Sequence, residues 1–399
     1  MKKLLLNPVI ATYFAFSTSV SFSISFIFAT YSLFLVDKGM NLWQINVVNS
    51  FFVGFVILAE MPTGSFADNF GRHRSMVISC FLLSASTLCY FLSSSFWFFV
   101  LAEIIAAFGH TFSSGAAEAW LVDSLQSRNE KHLQKDVFHY GPFISTFGVI
   151  SGVILGSYLG SFDLSFPWLA SSILMLIVGI FSLFIKENYH QKKVCKKNFL
   201  SSQLIEAWKS GIKNKNLLYI MSFGFLVALC VQALNMQWPI LFKNDYNFSS
   251  LELGYLFACI SIFSALGARL AKKIRLRNEK TSIVLSQLIT AIAIIFCSQL
   301  ELKLSVLAFF LLHELGRGIA QPLRRDFINN NIESGNRATL LSLDSMFLKS
   351  GGLVGLIISG FLAEATSIRS TWFIFGITLI MGIIIFLAKN QKRKTLLKK

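Results

Sequence analysis

Roughly 20 mostly apolar residues make a helix long enough to cross a bilayer, and this chain holds twelve such stretches in its 399 residues. They lie near 9–36, 43–63, 75–94, 96–122, 138–160 and 165–186, then near 216–242, 250–271, 281–299, 302–323, 339–363 and 369–388. Backbone groups in lipid must bond internally, so each stretch is expected to be helical. Only 14% of residues are charged and 54% are hydrophobic, too little charge to clothe a water-soluble surface of this size. The pattern predicts an all-α integral membrane protein. Its twelve transmembrane helices form two six-helix bundles, residues 1–186 and 216–399, joined by a basic linker at 187–215. Part of that linker, 199–208, is compatible with a short amphipathic helix at the membrane surface.

The formal net charge is +16. In a soluble chain that would suggest nucleic acid, but here the bases follow the membrane. Most of the 36 Lys and Arg fall in the even-numbered loops and the two tails. Lys38, Lys243, Lys303 and Arg369 fall in odd-numbered loops, and Arg269, Arg317 and Lys349 within helices. This is the positive-inside bias, so both termini are expected in the cytoplasm, with the chain in a bacterial-type inner membrane. Lys2 and Lys3 precede an apolar run that continues to Val36 without a cleavage site, which reads as a retained first helix. None of the six Cys forms a CxxC pair, and most sit in apolar runs as small buried hydrophobes.

The two halves look related. Asp37 has a counterpart in Asp245, the stretch 64–74 in 267–277, and Gly109-His110-Thr111 in Gly316-Arg317-Gly318. Internal repeats of this kind are expected in secondary transporters, where two bundles rock about a site near the midplane. In the fifth stretch Gly148, Gly152, Gly156 and Gly160 recur every four residues, a stripe that lets another helix pack backbone to backbone.

The loop between the second and third stretches reads Glu60-Met61-Pro62-Thr63-Gly64-Ser65-Phe66-Ala67-Asp68-Asn69-Phe70-Gly71-Arg72-His73-Arg74. Gly64, Asp68, Gly71, Arg72 and Arg74 at this spacing resemble the loop motif of the major facilitator superfamily. The twelve-span layout extends the resemblance over nearly the whole chain. Gly64 is expected to end the second helix and admit a neighbour. Asp68 is expected to accept hydrogen bonds from a helix start near 337–343. Arg72 and Arg74 are expected to pair with Glu118 or Asp123 at the end of the fourth stretch. Such a network would latch one state of a transport cycle. In the second half Ala271 stands where Asp68 corresponds, while Arg275 and Arg277 remain, so the latch is expected on the first half alone. The Glu60-Met61-Pro62 start is similar to the loop of one branch of tetracycline exporters. The Gly-Pro element of many exporters in the family is present only as Gly141-Pro142, with its downstream glycines at other positions.

Ionisable groups at membrane depth are costly and functional by default. The fourth stretch holds Glu103 and His110, seven residues apart and so on one face. The tenth holds His313, Glu314 and Arg317, with the last two one turn apart. The resemblance implies that the first, fourth, seventh and tenth helices line a central cavity, so these groups would face the solute. Glu103, His110 and Glu314 are the candidate proton carriers. A carboxyl group withdrawn from water gives up its charge for a proton more readily, and imidazole titrates near neutral pH. Arg317 would hold an anionic group of the substrate or neutralise Glu314 as a static pair. Gln232, Asn235, Trp238 and Tyr13 are the remaining cavity candidates, while Ser17, Ser21 and Ser25 read as a packing face. Asp344 and Lys349 are poorly spaced to pair with each other and are expected to meet other helices.

No metal-ligand cluster, phosphate-binding glycine loop or nucleophile elbow stands in the sequence. The sequence is therefore expected to be non-enzymatic and cofactor-free, and the resemblance implies proton-coupled efflux of an amphipathic compound or drug, by a monomer driven by the proton gradient. The expected partners are a small-molecule substrate and the lipid bilayer, with no nucleic acid. Proton-coupled uptake of a metabolite, or a non-transporting sensor on the same scaffold, are the alternatives.

Overall fold

The structure, a computed structural model, describes residues 4, 6–187, 214–271, 273, 279–332 and 337–396, without the side chains of 337–339 and 391–396. Lys2, Lys3, Arg275, Arg277 and all of the predicted linker between 188 and 213 lie outside the described residues. Among the described residues all regular structure is helical. Nine helices there are long and apolar enough to cross a membrane.

The first predicted stretch is two helices, α1 (Pro8–Ser25) and α2 (Tyr31–Asp37), which corrects the single helix expected over 9–36. Asn7 opens α1 by accepting the amide of Val9 at 3.0 Å, ahead of a proline whose missing N–H costs nothing there. Between the helices the chain makes tighter turns, Phe28 N–H to Ser25 O at 3.1 Å and Thr30 N–H to Ile27 O at 3.2 Å. The reason the break survives in a membrane lies in the fifth stretch, now α7 (Gln134–Leu159). A Cβ on Gly152 would strike the Phe22 carbonyl, and one on Gly156 the Phe26 carbonyl. The glycine stripe thus lays bare backbone over the interruption and shields its polar groups from lipid.

Helices α3 (Leu42–Phe70) and α4 (Arg72–Leu92) meet at Gly71, whose φ of +113° most side chains cannot adopt. This corrects the role expected of Gly64. The helix runs straight through Gly64, where an added Cβ would meet nothing within 4 Å, and stops where the backbone must turn. The fourth stretch is likewise two helices, α5 (Phe96–Ser113) and α6 (Ala116–Ser127), broken at Gly115 with φ +76°. The short α8 (Phe166–Ser182) follows α7.

Beyond the undescribed stretch come α9 (Lys215–Tyr246), α10 (Ser250–Leu270), α11 (Glu279–Gln299), α12 (Lys303–Asn330), α13 (Arg337–Ala365) and α14 (Ile368–Leu396). The tenth stretch was expected to end near 323, but α12 continues to Asn330. Arg324, counted among the loop bases by the hydropathy reading, is therefore a helix residue. Its charge is satisfied by Asp344 of α13, so the helix has no need to end before it.

By packing, the chain divides into two compact units. One comprises Met1–Met40, Val48–Cys195 and Phe242–Ala258; the other comprises Asn41–Val47, Lys196–Leu241 and Cys259–Lys399. The predicted repeat is visible as packing within each. A Cβ on Gly109 of α5 would lie 3.1 Å from the Leu83 amide of α4, and one on Gly316 of α12 would lie 2.9 Å from the Thr290 amide of α11. Gly351 and Gly355 of α13 press on the Phe225 and Leu229 carbonyls of α9, as the α7 glycines press on α1.

The packing generates a contrast. Gly156→Leu is expected to cost about 3 kcal/mol through overpacking against backbone and to abolish the monodisperse peak in fluorescence-detected size exclusion. Gly64→Leu is expected to keep that peak.

Candidate functional site

A cavity of about 400 Å³ opens within the second unit, walled mainly by α9 and α12 with Ser264, Gln287 and Leu348 from their neighbours. Positions 314, 317, 321 and 324 recur along one face of α12, and the side chains there are Glu314, Arg317, Gln321 and Arg324. From α9 come Gln232 and Asn235. These residues form a chain of contacts. Gln232 accepts from Asn235 at 3.1 Å, Arg317 donates to Asn235 at 3.0 Å, and Arg317 donates to Glu314 at 2.6 Å. The ring Nε2 of buried His313 lies 3.3 Å from the same Glu314 oxygen, without hydrogen-bond geometry. The structure therefore brings together Gln232, Asn235, Glu314 and Arg317. Trp238 is buried beside Phe310, ring centroids 5.9 Å apart, and does not line this cavity.

Arg324 closes the cavity's wall as a fork on Asp344, with Nη1 2.9 Å from Oδ2 and Nη2 on Oδ1. Gly224 makes the room, since a Cβ there would lie 2.6 Å from the guanidinium. Sequence reading missed Arg324 because hydropathy placed it beyond the helix end. Gln237 is structural: wholly buried, it donates to the Ser359 carbonyl at 3.1 Å and accepts from Trp372 at 3.1 Å.

In the first unit Glu103 and His110 share α5 but not an environment. Glu103 is 4% exposed, and one oxygen accepts both the Tyr31 and the Tyr90 hydroxyl at 2.5 Å. Trp168 stacks on Tyr90 at 3.9 Å, and Phe34 and Phe99 complete an aromatic wall. Among the described residues no Lys or Arg pairs with Glu103. His110, two turns along, is exposed and meets the Phe52 ring edge-on at 5.7 Å. Tyr13 sits in the apolar core with Phe14, Met76 and Trp120. Tyr31 and Tyr90 escaped sequence reading, because a tyrosine in an apolar run carries no mark of what its hydroxyl meets. The helix break places Tyr31 at the first position of α2.

The loop motif forms its own cluster. Arg72 Nε lies 3.0 Å from Asp123, and Arg72 Nη2 lies 3.5 Å from Asp68, which is 60% exposed. Arg74 and Glu118 are exposed. The described residues begin again only at 337 near the expected Asp68 partner, with side chains from Leu340. His73, unremarked in sequence, ties the cluster to the end of α8. Its amide donates to Glu187 at 2.8 Å, and its ring Nε2 bonds the Ser182 carbonyl at 2.8 Å.

The family model described as Major Facilitator Superfamily matches residues 11–347. An uncharacterised MFS-type transporter of Bacillus subtilis (strain 168), YxaM, is 24% identical, the alignment covering 94% of each chain. The class B tetracycline resistance protein of Escherichia coli is 23% identical over 78% of each chain. Among solved structures, that of the nucleoside transporter NupG superposes with a TM-score of 0.79 at 17% identity, covering 96% of this chain and 99% of that one.

The buried fork makes a thermodynamic prediction. Arg324→Met alone leaves a buried carboxylate uncompensated and is expected to destabilise by about 3 kcal/mol, whereas Arg324→Met with Asp344→Leu recovers most of the loss. Thermal unfolding in detergent checks this, and additive losses would show that the pair is not coupled.

Proposed function

We propose, starting from the chain's membership of the Major Facilitator Superfamily, that this multi-pass membrane transporter expels a small amphipathic organic compound in exchange for protons. The observation that carries the reading is the cavity of about 400 Å³, large enough for a drug-sized molecule, which sets four amides, the Glu314–Arg317 pair and Arg324 against apolar side chains such as Val227 and Val231. Gln232, Asn235 and Arg317 would hold the polar edge of the substrate. The loop variant beginning Glu60-Met61-Pro62 and the likeness to a tetracycline resistance protein support efflux. The basic loops and tails support cytoplasmic termini in an inner membrane.

Proton coupling falls to the two buried acids in different ways. The ionised form of Glu103 is held by two phenol hydroxyls and, among the described residues, by no cation, so gaining a proton removes a buried charge that has no counter-ion there. Glu314 shares its charge with Arg317, so a proton there releases the guanidinium toward the cavity. Asp68, Arg72 and Asp123 form the latch, in which exposed Asp68 is the member free to change partners as the cycle turns. Uptake of a polar metabolite is the second reading, and the amides Gln232, Asn235, Gln287 and Gln321 favour it.

Everted vesicles with an imposed pH gradient separate the two. Solute accumulation supports efflux, and gradient-driven loss from preloaded vesicles supports uptake. In the same assay Asp68→Asn is expected to insert normally and transport nothing; wild-type turnover would remove the latch. Glu103→Gln is expected to retain substrate counterflow but lose at least about tenfold of gradient-driven accumulation. Glu314→Gln is expected to weaken both, because it also frees Arg317 from its partner. A Glu103→Gln variant with unchanged pH dependence would exclude Glu103 as the carrier.

A further inference from the structure

A second cavity, of about 330 Å³, lies within the first unit, away from the acid cluster, where α1, α6 and the end of α8 converge. Its lining combines two chemistries: Arg128 and Lys186 with the hydroxyls of Thr12, Ser124 and Ser127, and the rings of Phe181 and Phe184. Arg128 and Lys186 are exposed, and neither pairs with a carboxylate among the described residues. The nearby acids are engaged elsewhere: Glu130 accepts from Asn7 at 2.8 Å, Asp123 holds Arg72, and Glu187 takes the His73 amide. Phe181 and Phe184 are 69% and 74% exposed, apolar surface of the kind an acyl chain covers.

The cavity lies where α8 runs out. Past Ser182 the chain continues in tighter turns, Leu183 N–H to Ile180 O at 3.2 Å and Ile185 N–H to Ser182 O at 3.1 Å. The Trp120 indole donates to the Lys186 carbonyl at 3.3 Å, which fixes the backbone there beside α6. Two cations with no carboxylate partner among the described residues thus stand at the end of α8, in the same cavity as exposed aromatic rings.

We infer that this cavity binds the headgroup of one anionic phospholipid, its phosphate between Arg128 and Lys186 and an acyl chain along Phe181 and Phe184. The complementarity is of charge and of apolar surface together, which a soluble phosphate would use only by half. Basic pockets between transmembrane helices recognise anionic headgroups by this chemistry.

The test uses the full chain, delipidated in neutral detergent, titrated with dioleoylphosphatidylglycerol while Tm is followed. The wild type is expected to gain stability with this lipid and not with dioleoylphosphatidylcholine or with glycerol phosphate alone. Arg128→Gln with Lys186→Gln should need roughly 25-fold more lipid for the same shift, at about fivefold per lost cation, whereas the charge-keeping pair Arg128→Lys with Lys186→Arg should respond as wild type. If the doubly neutral protein is not recovered folded, Lys186→Gln alone should show the fivefold change. An unchanged titration in the neutral variants, an equal response to the zwitterionic lipid, or stabilisation by glycerol phosphate alone would each overturn the assignment.

Discussion

The constraint on which this structure depends is that hydrocarbon offers no hydrogen bonds, so every polar group at membrane depth must be satisfied by the protein itself. The break between Ser25 and Tyr31 is possible because α7 covers it with glycine backbone. Without that cover the turns at 26–30 would expose carbonyls to lipid. The same break turns Tyr31 toward Glu103, so a packing device on one helix sets the chemistry of an acid on another.

Helix α12 meets the constraint by opposition of faces. Gly316 and Gly318 let α11 and α10 approach its backbone, with Gly318 pressed on the Ser264 carbonyl. The other face carries Glu314, Arg317, Gln321 and Arg324 into the cavity. Each charge there has an opposite partner, Arg317 on Glu314 and Arg324 on Asp344. The two pairs differ in exposure: the Arg317 side chain is twice as accessible as that of Arg324. An open pair can exchange its partner for a ligand at modest cost, whereas a buried fork resists separation. Arg317 is thus suited to the substrate and Arg324 to the wall.

How far the site was legible follows from which interactions are local. Glu314 and Arg317 are one turn apart, so helix periodicity alone brings them together, and Arg72 four residues after Asp68 meets it for the same reason. Glu103 and His110 share a helical face too, yet one is sealed by Tyr31, Tyr90 and Trp168 while the other is exposed. Periodicity gives direction around a helix and says nothing of what packs there. Tyr13 shows the same limit, since its place in the apolar core is set by Met76 and Trp120 from distant segments.

The sequence by itself determined the class of the protein: a chain of apolar stretches must become membrane helices, and the loop from Gly64 to Arg74 carries the family resemblance in residue order alone. The tertiary structure decided where helices are interrupted, which glycines turn and which pack, and which partners Glu103 and Asp344 receive. Hydropathy averages over a span and so cannot see a break of five residues or a single ion pair. The break depends on atoms more than a hundred positions away, as Gly152 over Phe22 makes plain, and the Arg324 pair on a partner in the following helix.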